Sequence, residues 1–171
     1  MDRWLIVLRI VHIGSAMSWF GGALVAFFFL MPTAGAVGRA GQPFMDHLMN
    51  RRRLGIFFPI VAAVTILSGA ALYWRDSDGF QWAWISSPSG LAFTIGGLAA
   101  VAAFIAGAVL TGPSVAEHTA VQNEVAASGG IPTEAQLQGL ERAGRRMWLA
   151  SRIDLPLILL AGAMMAIARY L

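Results

Sequence analysis

Four long runs of apolar residues decide which folds are open to this chain. They lie near residues 4–31, 54–74, 91–112 and 147–170. Each is long enough to cross the hydrocarbon core of a bilayer, which takes about 20 helical residues. Because backbone groups without partners cannot face lipid, each run must be helical. The sequence therefore predicts an all-α, polytopic membrane protein in which residues 1–171 form one antiparallel bundle of four transmembrane helices, with the lipid bilayer as its surroundings.

The composition agrees with a chain whose solvent is lipid. Hydrophobic residues make up 57% of it and charged residues only 12%, against about 25% charged residues in soluble domains. The chain has no cysteine, which excludes disulfides and thiolate metal sites. All 12 basic residues are arginine, which excludes a lysine ligand or Schiff base. These arginines flank the apolar runs and form no basic stripe elsewhere, so nucleic acid is not an expected partner.

The placement of the arginines predicts how the chain is oriented. Eight of them fall on one side of the four spans: Arg39, Arg51, Arg52, Arg53, Arg142, Arg145, Arg146 and Arg152. The other side carries Arg3, Arg9, Arg75 and Arg169. By the positive-inside rule the first set is cytoplasmic, which places both termini outside.

The cytoplasmic connections are predicted to extend the helices beyond the membrane. The stretch MDHLMNRRR contains no helix breaker, so the second span is expected to begin as an amphipathic helix before the bilayer. The helix after the third span should stop at Gly129 and Gly130. The last helix should restart at Thr133, an N-cap with Gln136 at capping-box spacing.

One histidine lies inside the first apolar run, in the stretch RIVHIGSAMSWFGG, residues 9–22. An ionisable residue within a membrane span indicates a functional site by default. His12 is therefore a candidate metal or cofactor ligand, and Trp19 shares its helix face. The alternative is that His12 serves only as a hydrogen-bonding residue between helices.

Small residues in the first and third spans leave two interpretations open. Gly14, Ser18 and Gly22 form a stripe typical of close helix packing. In the third span, Gly96 and Gly97 begin a segment with little side-chain volume. Either the helices pack very tightly there, or a flat macrocycle fills the space.

Depth in the bilayer relates His12 to residues on the other spans. At 1.5 Å per residue His12 lies about 12 Å from the outer end of its span. The same depth falls at Ser68 and Gly69, at residues 97–100 and at residues 162–165. This level includes two thioethers, Met164 and Met165. Imidazole with thioether holds haem iron, and soft thioethers also suit Cu(I).

Other charged groups have two interpretations each. Arg9, one turn outward from His12, either pairs with a carboxylate such as a haem propionate or extends to the lipid headgroups. Asp154 at the inner boundary is expected to pair with Arg52 or Arg53 as a clamp between helices, with a proton relay as the alternative.

Two further histidines suggest a weaker metal site. His47 follows Asp46 and His118 follows Glu117, both on the cytoplasmic side, and two imidazoles with two carboxylates suit a divalent metal. Solvated side chains are the alternative.

The sequence resembles bacterial membrane families grouped around the CopD copper-resistance domain and HemJ-type protoporphyrinogen oxidase. The resemblance rests on HIGSAMSWFGG and on RRRLGIFFPIVAAVTILSGAALYW. The matching positions are His12, Trp19, Gly22, Arg52, Arg53, Pro59 and Gly69. HemJ-type proteins are thought to bind haem b through the histidine of the first span and a lysine in the third. His12 corresponds to the former, and this chain has no lysine to correspond to the latter.

The residues and the resemblance together predict a multi-pass protein of the bacterial plasma (inner) membrane. It would bind haem b, or a related redox cofactor, for electron transfer or redox sensing, with a membrane redox partner or a second copy of itself. The cofactor site would comprise His12, Arg9, Trp19, Gly97, Met164 and Met165. The alternatives are a membrane subunit or assembly factor without a cofactor, and a copper-handling protein.

Overall fold

A computed structural model describes residues 3–171, except for the side chains of Arg39, Gln42, Asp46 and Asn50. Its regular structure is helical throughout this range. The α-helices are α1 (Arg3–Val25), α2 (Met31–Val37), α3 (Gln42–Asp46), α4 (Leu54–Asp76), α5 (Trp82–Ile85), α6 (Pro88–Ala106), α7 (Gly112–Ala127) and α8 (Glu134–Ile167). Wider π-helical turns, Ala26–Leu30 and Gly107–Thr111, join α1 to α2 and α6 to α7 without ending the helix.

Four helical stretches of the described chain are long and apolar enough to cross a membrane. Their bounds are Arg3–Val37, Pro43–Asp76, Pro88–Ala127 and Glu134–Tyr170. Large apolar side chains remain exposed along them, for example Leu67 at 70% and Leu98 at 65%. Exposed apolar surface on this scale marks a contact with lipid or another protein. The described fold thus contains four helices that are suited by length and composition to crossing a membrane.

At the connection between α7 and α8, the helix ends lie where the sequence predicted them. The Thr133 N–H donates to Oε1 of Gln136 (2.9 Å), and the Gln136 N–H donates to Oγ1 of Thr133 (3.3 Å). The predicted capping box is confirmed. The preceding helix ends at Ala127, and the φ angles of Gly129 (+97°) and Gly130 (+81°) are ones that favour glycine, as predicted.

The start of the second span differs from the prediction. Helix is present before it, but the chain leaves the helical conformation at Arg52 and Arg53, and Arg53 has a left-handed φ of +57°. The prediction of an unbroken helix into the span was wrong, because a helix without glycine or proline can still end where one residue adopts a left-handed backbone conformation.

Two compact units divide the chain: the part up to Val101 with Ile158–Leu171, and Ala102–Leu157. In the first unit α1 packs along α4. Gly22 makes this approach possible, because a Cβ there would lie 2.7 Å from Cε1 of Phe58. At Gly14 the structure has no atom within 4 Å of such a Cβ, so the small-residue stripe packs at Gly22 and is open at Gly14.

The second unit joins α7 to the first part of α8. Arg146 on α8 donates to Oε2 of Glu117 on α7 at 3.3 Å. Farther along, a Cβ at Gly139 would make ordinary contact with Val121. The capping box at Thr133 therefore starts a helix that returns along α7.

Candidate functional site

The imidazole of His12 bonds to α4. Its Nδ1 lies 2.9 Å from the carbonyl oxygen of Thr65 and 3.3 Å from Oγ of Ser68. A carbonyl oxygen can only accept, so the hydrogen must reside on Nδ1. In the neutral ring Nε2 then carries the lone pair, and no described residue forms a hydrogen bond with it. The ring is thus held in the tautomer whose free nitrogen can bind a metal or accept a proton.

Hydroxyl groups around the imidazole are satisfied without water. The Thr65 hydroxyl lies 2.7 Å from the carbonyl oxygen of Val61 and 2.9 Å from Oγ of Ser15. Ser68 donates to the carbonyl oxygen of Val64 on its own helix. Thr65 and Ser68 are each only 6% exposed. A polar network therefore crosses the α1–α4 interface with its hydroxyl groups paired.

Gly69 forms the surface against which the ring lies. A Cβ at this position would be 2.8 Å from Cε1 of His12, a distance that real Cβ atoms essentially never show. It would be 3.2 Å from Nδ1, which is also tighter than most Cβ contacts. Depth in the bilayer predicted Ser68 and Gly69 at the level of His12, and both contacts confirm it. Sequence reasoning missed Thr65. Its position four residues before Gly69, on the same helix face, was the available signal.

A cluster of charges lies near the N-terminal part of α1 and the C-terminal end of α4. Arg9 approaches Asp76 with Nη2 at 3.8 Å from Oδ2, and Arg75 approaches the same carboxylate at 3.4 Å. The side chains are partly exposed, Arg9 by 54% and Asp76 by 32%. Two guanidinium groups share one carboxylate, so the trio retains a positive charge.

Three of the other predicted cofactor residues lie on α6 and α8, namely Gly97, Met164 and Met165. A Cβ at Gly96 would meet Cβ of Met164 at 3.2 Å and Cε of Met165 at 3.4 Å, so these helices pack closely where the depth argument aligned them. At Gly97 no described atom lies within 4 Å of a Cβ position, which leaves this face open. Trp19 is half-buried on α1.

If His12 holds a cofactor in the space left by the small residues of the third span, its imidazole is expected to face residues 96–100 of that span. Its hydrogen bonds instead run to the second span, on α4. Ligation of a cofactor by His12 together with Met164 or Met165 stays a prediction.

Asp154 lies in the second unit, whereas Arg52 and Arg53 lie in the first. The predicted ion pair between them stays a prediction. Within its own unit the carboxylate accepts from Oγ1 of Thr111 at 3.5 Å.

The described side chains contain no group of three or more His, Asp or Glu residues placed to hold a metal ion. The proposed cytoplasmic metal site includes Asp46, whose side chain lies outside the described part of the chain. Glu117, another member of that set, is paired with Arg146.

In comparisons with protein-family models, curated proteins and solved structures, this chain has no match.

Proposed function

We propose that this chain is a multi-pass protein of the bacterial plasma membrane that holds haem b through Nε2 of His12, for electron transfer or redox sensing. The observation that carries the proposal is the hydrogen bond from Nδ1 of His12 to the carbonyl oxygen of Thr65. Histidines that ligate metals almost always donate their other ring N–H to a carbonyl or carboxylate, which fixes both tautomer and orientation. When bound, haem b would supply a one-electron redox centre within the bilayer.

The chemistry of the surrounding residues fits such a group. The imidazole is held by α4 on its Nδ1 side and rests on the bare backbone of Gly69. The positive charge shared by Arg9, Arg75 and Asp76 suits a carboxylate such as a propionate. The resemblance to HemJ-type proteins assigns haem b to the same histidine. A thioether of Met164 or Met165 is the proposed second ligand.

The proposal includes an antiparallel four-helix bundle with both termini outside the cytoplasm. It also includes an electron partner within the same membrane, either another protein or a second copy of this chain. Soft thioethers with imidazole also suit Cu(I), so copper is the alternative metal.

A second candidate function rests on the same hydrogen bonds. They satisfy the imidazole as an interhelical link, and such bonds contribute about 0.6 kcal/mol on average in membrane proteins. In that case the chain is a membrane subunit or assembly factor without a cofactor, and α1 and α4 are fastened through His12 and Thr65.

Absorption spectroscopy distinguishes these functions. The chain is expressed with added haem, purified in detergent and scanned for a Soret band, and its iron and copper contents are measured. The proposal predicts a Soret band and bound iron in the wild type and their loss in His12→Ala. His47→Ala is the matched control and should keep both. A helical, folded protein that is colourless and free of iron would refute haem binding, and bound copper without a Soret band would favour the copper function.

A further inference from the structure

A second titratable side chain within the apolar helices, distinct from the haem proposal, lies in the second unit. Asp154 on α8 accepts one long hydrogen bond at Oδ2, from Oγ1 of Thr111 at 3.5 Å. Its other oxygen, Oδ1, is buried and has no hydrogen-bond partner among the described residues. A buried carboxylate oxygen without a partner is unfavourable while the group is ionised.

The backbone opposite Asp154 has an unusual form. Residues Gly107–Thr111 form a π-helical turn, a feature that occurs frequently at functional sites. A Cβ at Gly107 would make ordinary contact with Oδ2, at 3.8 Å, so the carboxyl group lies beside this residue. Thr111 ends the same turn and supplies the hydroxyl. The carboxyl group is therefore packed against this turn by two of its residues.

None of the charged side chains of the second unit forms an ion pair with Asp154. Gly107–Thr111 carries no titratable side chain. On α8, the guanidinium of Arg152 lies over the ring of Trp148, 4.6 Å from its centroid. On α7, Glu117 is paired with Arg146, and His118 follows it along the helix. Within the second unit, no cation neutralises Asp154.

We propose that Asp154 is a proton-binding site: its carboxylate takes a proton from solvent, forms one O–H bond at Oδ1, and returns the proton to solvent. A bound metal ion would require several oxygen ligands around the carboxylate, whereas the described side chains supply only the Thr111 hydroxyl. A proton requires no further ligand, and it removes the charge that burial opposes.

Labelling with dicyclohexylcarbodiimide tests this proposal on the full chain in detergent. The protonated carboxyl adds across one C=N bond of this apolar reagent and rearranges to a stable N-acylurea, which peptide mass spectrometry locates. Asp154 should be labelled at mildly acid pH, and labelling should decline as the pH rises. Thr111→Val, which removes the donor to the ionised form, should extend labelling to higher pH. The exposed Glu141, whose side chain is 68% accessible, is the control and should react little with this reagent.

The variant Asp154→Asn supplies an independent measurement. The amide has the shape and neutrality of the protonated acid, so the variant should lose the adduct and keep the melting temperature of the wild type. Two results would overturn the proposal. One is a folded wild type in which Asp154 is never labelled at any pH. The other is a melting temperature far below that of the wild type in Asp154→Asn, since this would show that the ionised carboxylate is paired with a cation, as in the clamp with Arg52 or Arg53.

Discussion

The imidazole of His12 lies directly against the backbone of Gly69, at a distance that leaves no room for a methyl group. A Cβ at residue 69 would be 2.8 Å from Cε1 of the ring. The ring is also fixed by its bond to the carbonyl oxygen of Thr65, so it cannot move away without losing a hydrogen bond. The glycine and the histidine are therefore coupled across two helices.

Gly69→Ala should destabilise the protein by about 1–3 kcal/mol, the usual cost of adding a methyl group to a packed site. Under the haem proposal, the displaced ring should also lower the haem content of the purified protein. Gly14→Ala is the matched control, because nothing lies within 4 Å of its Cβ position. Unfolding in detergent and haem quantification provide the measurements. Equal stability and equal haem content in the two variants would contradict the coupling.

Gly22→Ala should also destabilise the α1–α4 packing, because its methyl group would lie 2.7 Å from Cε1 of Phe58. Phe58→Leu shortens the side chain that causes the clash. The two changes should therefore be less harmful together than the sum of their separate effects, by an interaction energy of about 0.5–3 kcal/mol. A double-mutant cycle of unfolding free energies measures it. Strict additivity would show that the two residues do not meet.

Ser68→Ala should cost only about 0.6 kcal/mol, the average for an interhelical hydrogen bond in a membrane protein. The effect is small because the carbonyl oxygen of Thr65 still accepts from Nδ1 of His12. Ser18→Ala is the control, since that hydroxyl donates to the carbonyl oxygen of Gly14 on its own helix. A loss above about 2 kcal/mol in Ser68→Ala would mean that the variant leaves the Nδ1–H of His12 buried without an acceptor. That result would show that Ser68 and not Thr65 anchors the ring.

Reporter fusions test the proposed orientation. Alkaline phosphatase, which is active only outside the cytoplasm, should be active when fused after Leu171. Inserted after Gly130, between α7 and α8, it should be inactive. The expectation follows from the arginine bias. The reverse pattern of activities would place both termini inside.

The sequence predicted those features that depend on local pattern or on depth along a helix. Apolar length predicted the four long helices, the Thr133 and Gln136 pair predicted the start of α8, and depth placed Gly69 beside His12. It did not predict the carbonyl oxygen of Thr65 as the partner of the imidazole, because every residue carries that acceptor.

Helix rotation separates two adjacent glycines of the third span. Gly97 was selected for the cofactor site, whereas Gly96 is the residue in contact with Met164 and Met165. Neighbouring residues on a helix with 3.6 residues per turn point about 100° apart. Depth along a helix and hydropathy therefore do not decide which of two adjacent residues faces a given neighbour.

The most direct test of haem ligation by His12 is rescue of the variant His12→Gly with free imidazole. Removing the side chain leaves space beside Gly69 that imidazole can occupy. The proposal predicts that the purified variant has lost or shifted the Soret band, and that added imidazole restores the position seen in the wild type. A His12→Gly protein whose Soret band and haem content equal those of the wild type before imidazole is added would contradict ligation by His12.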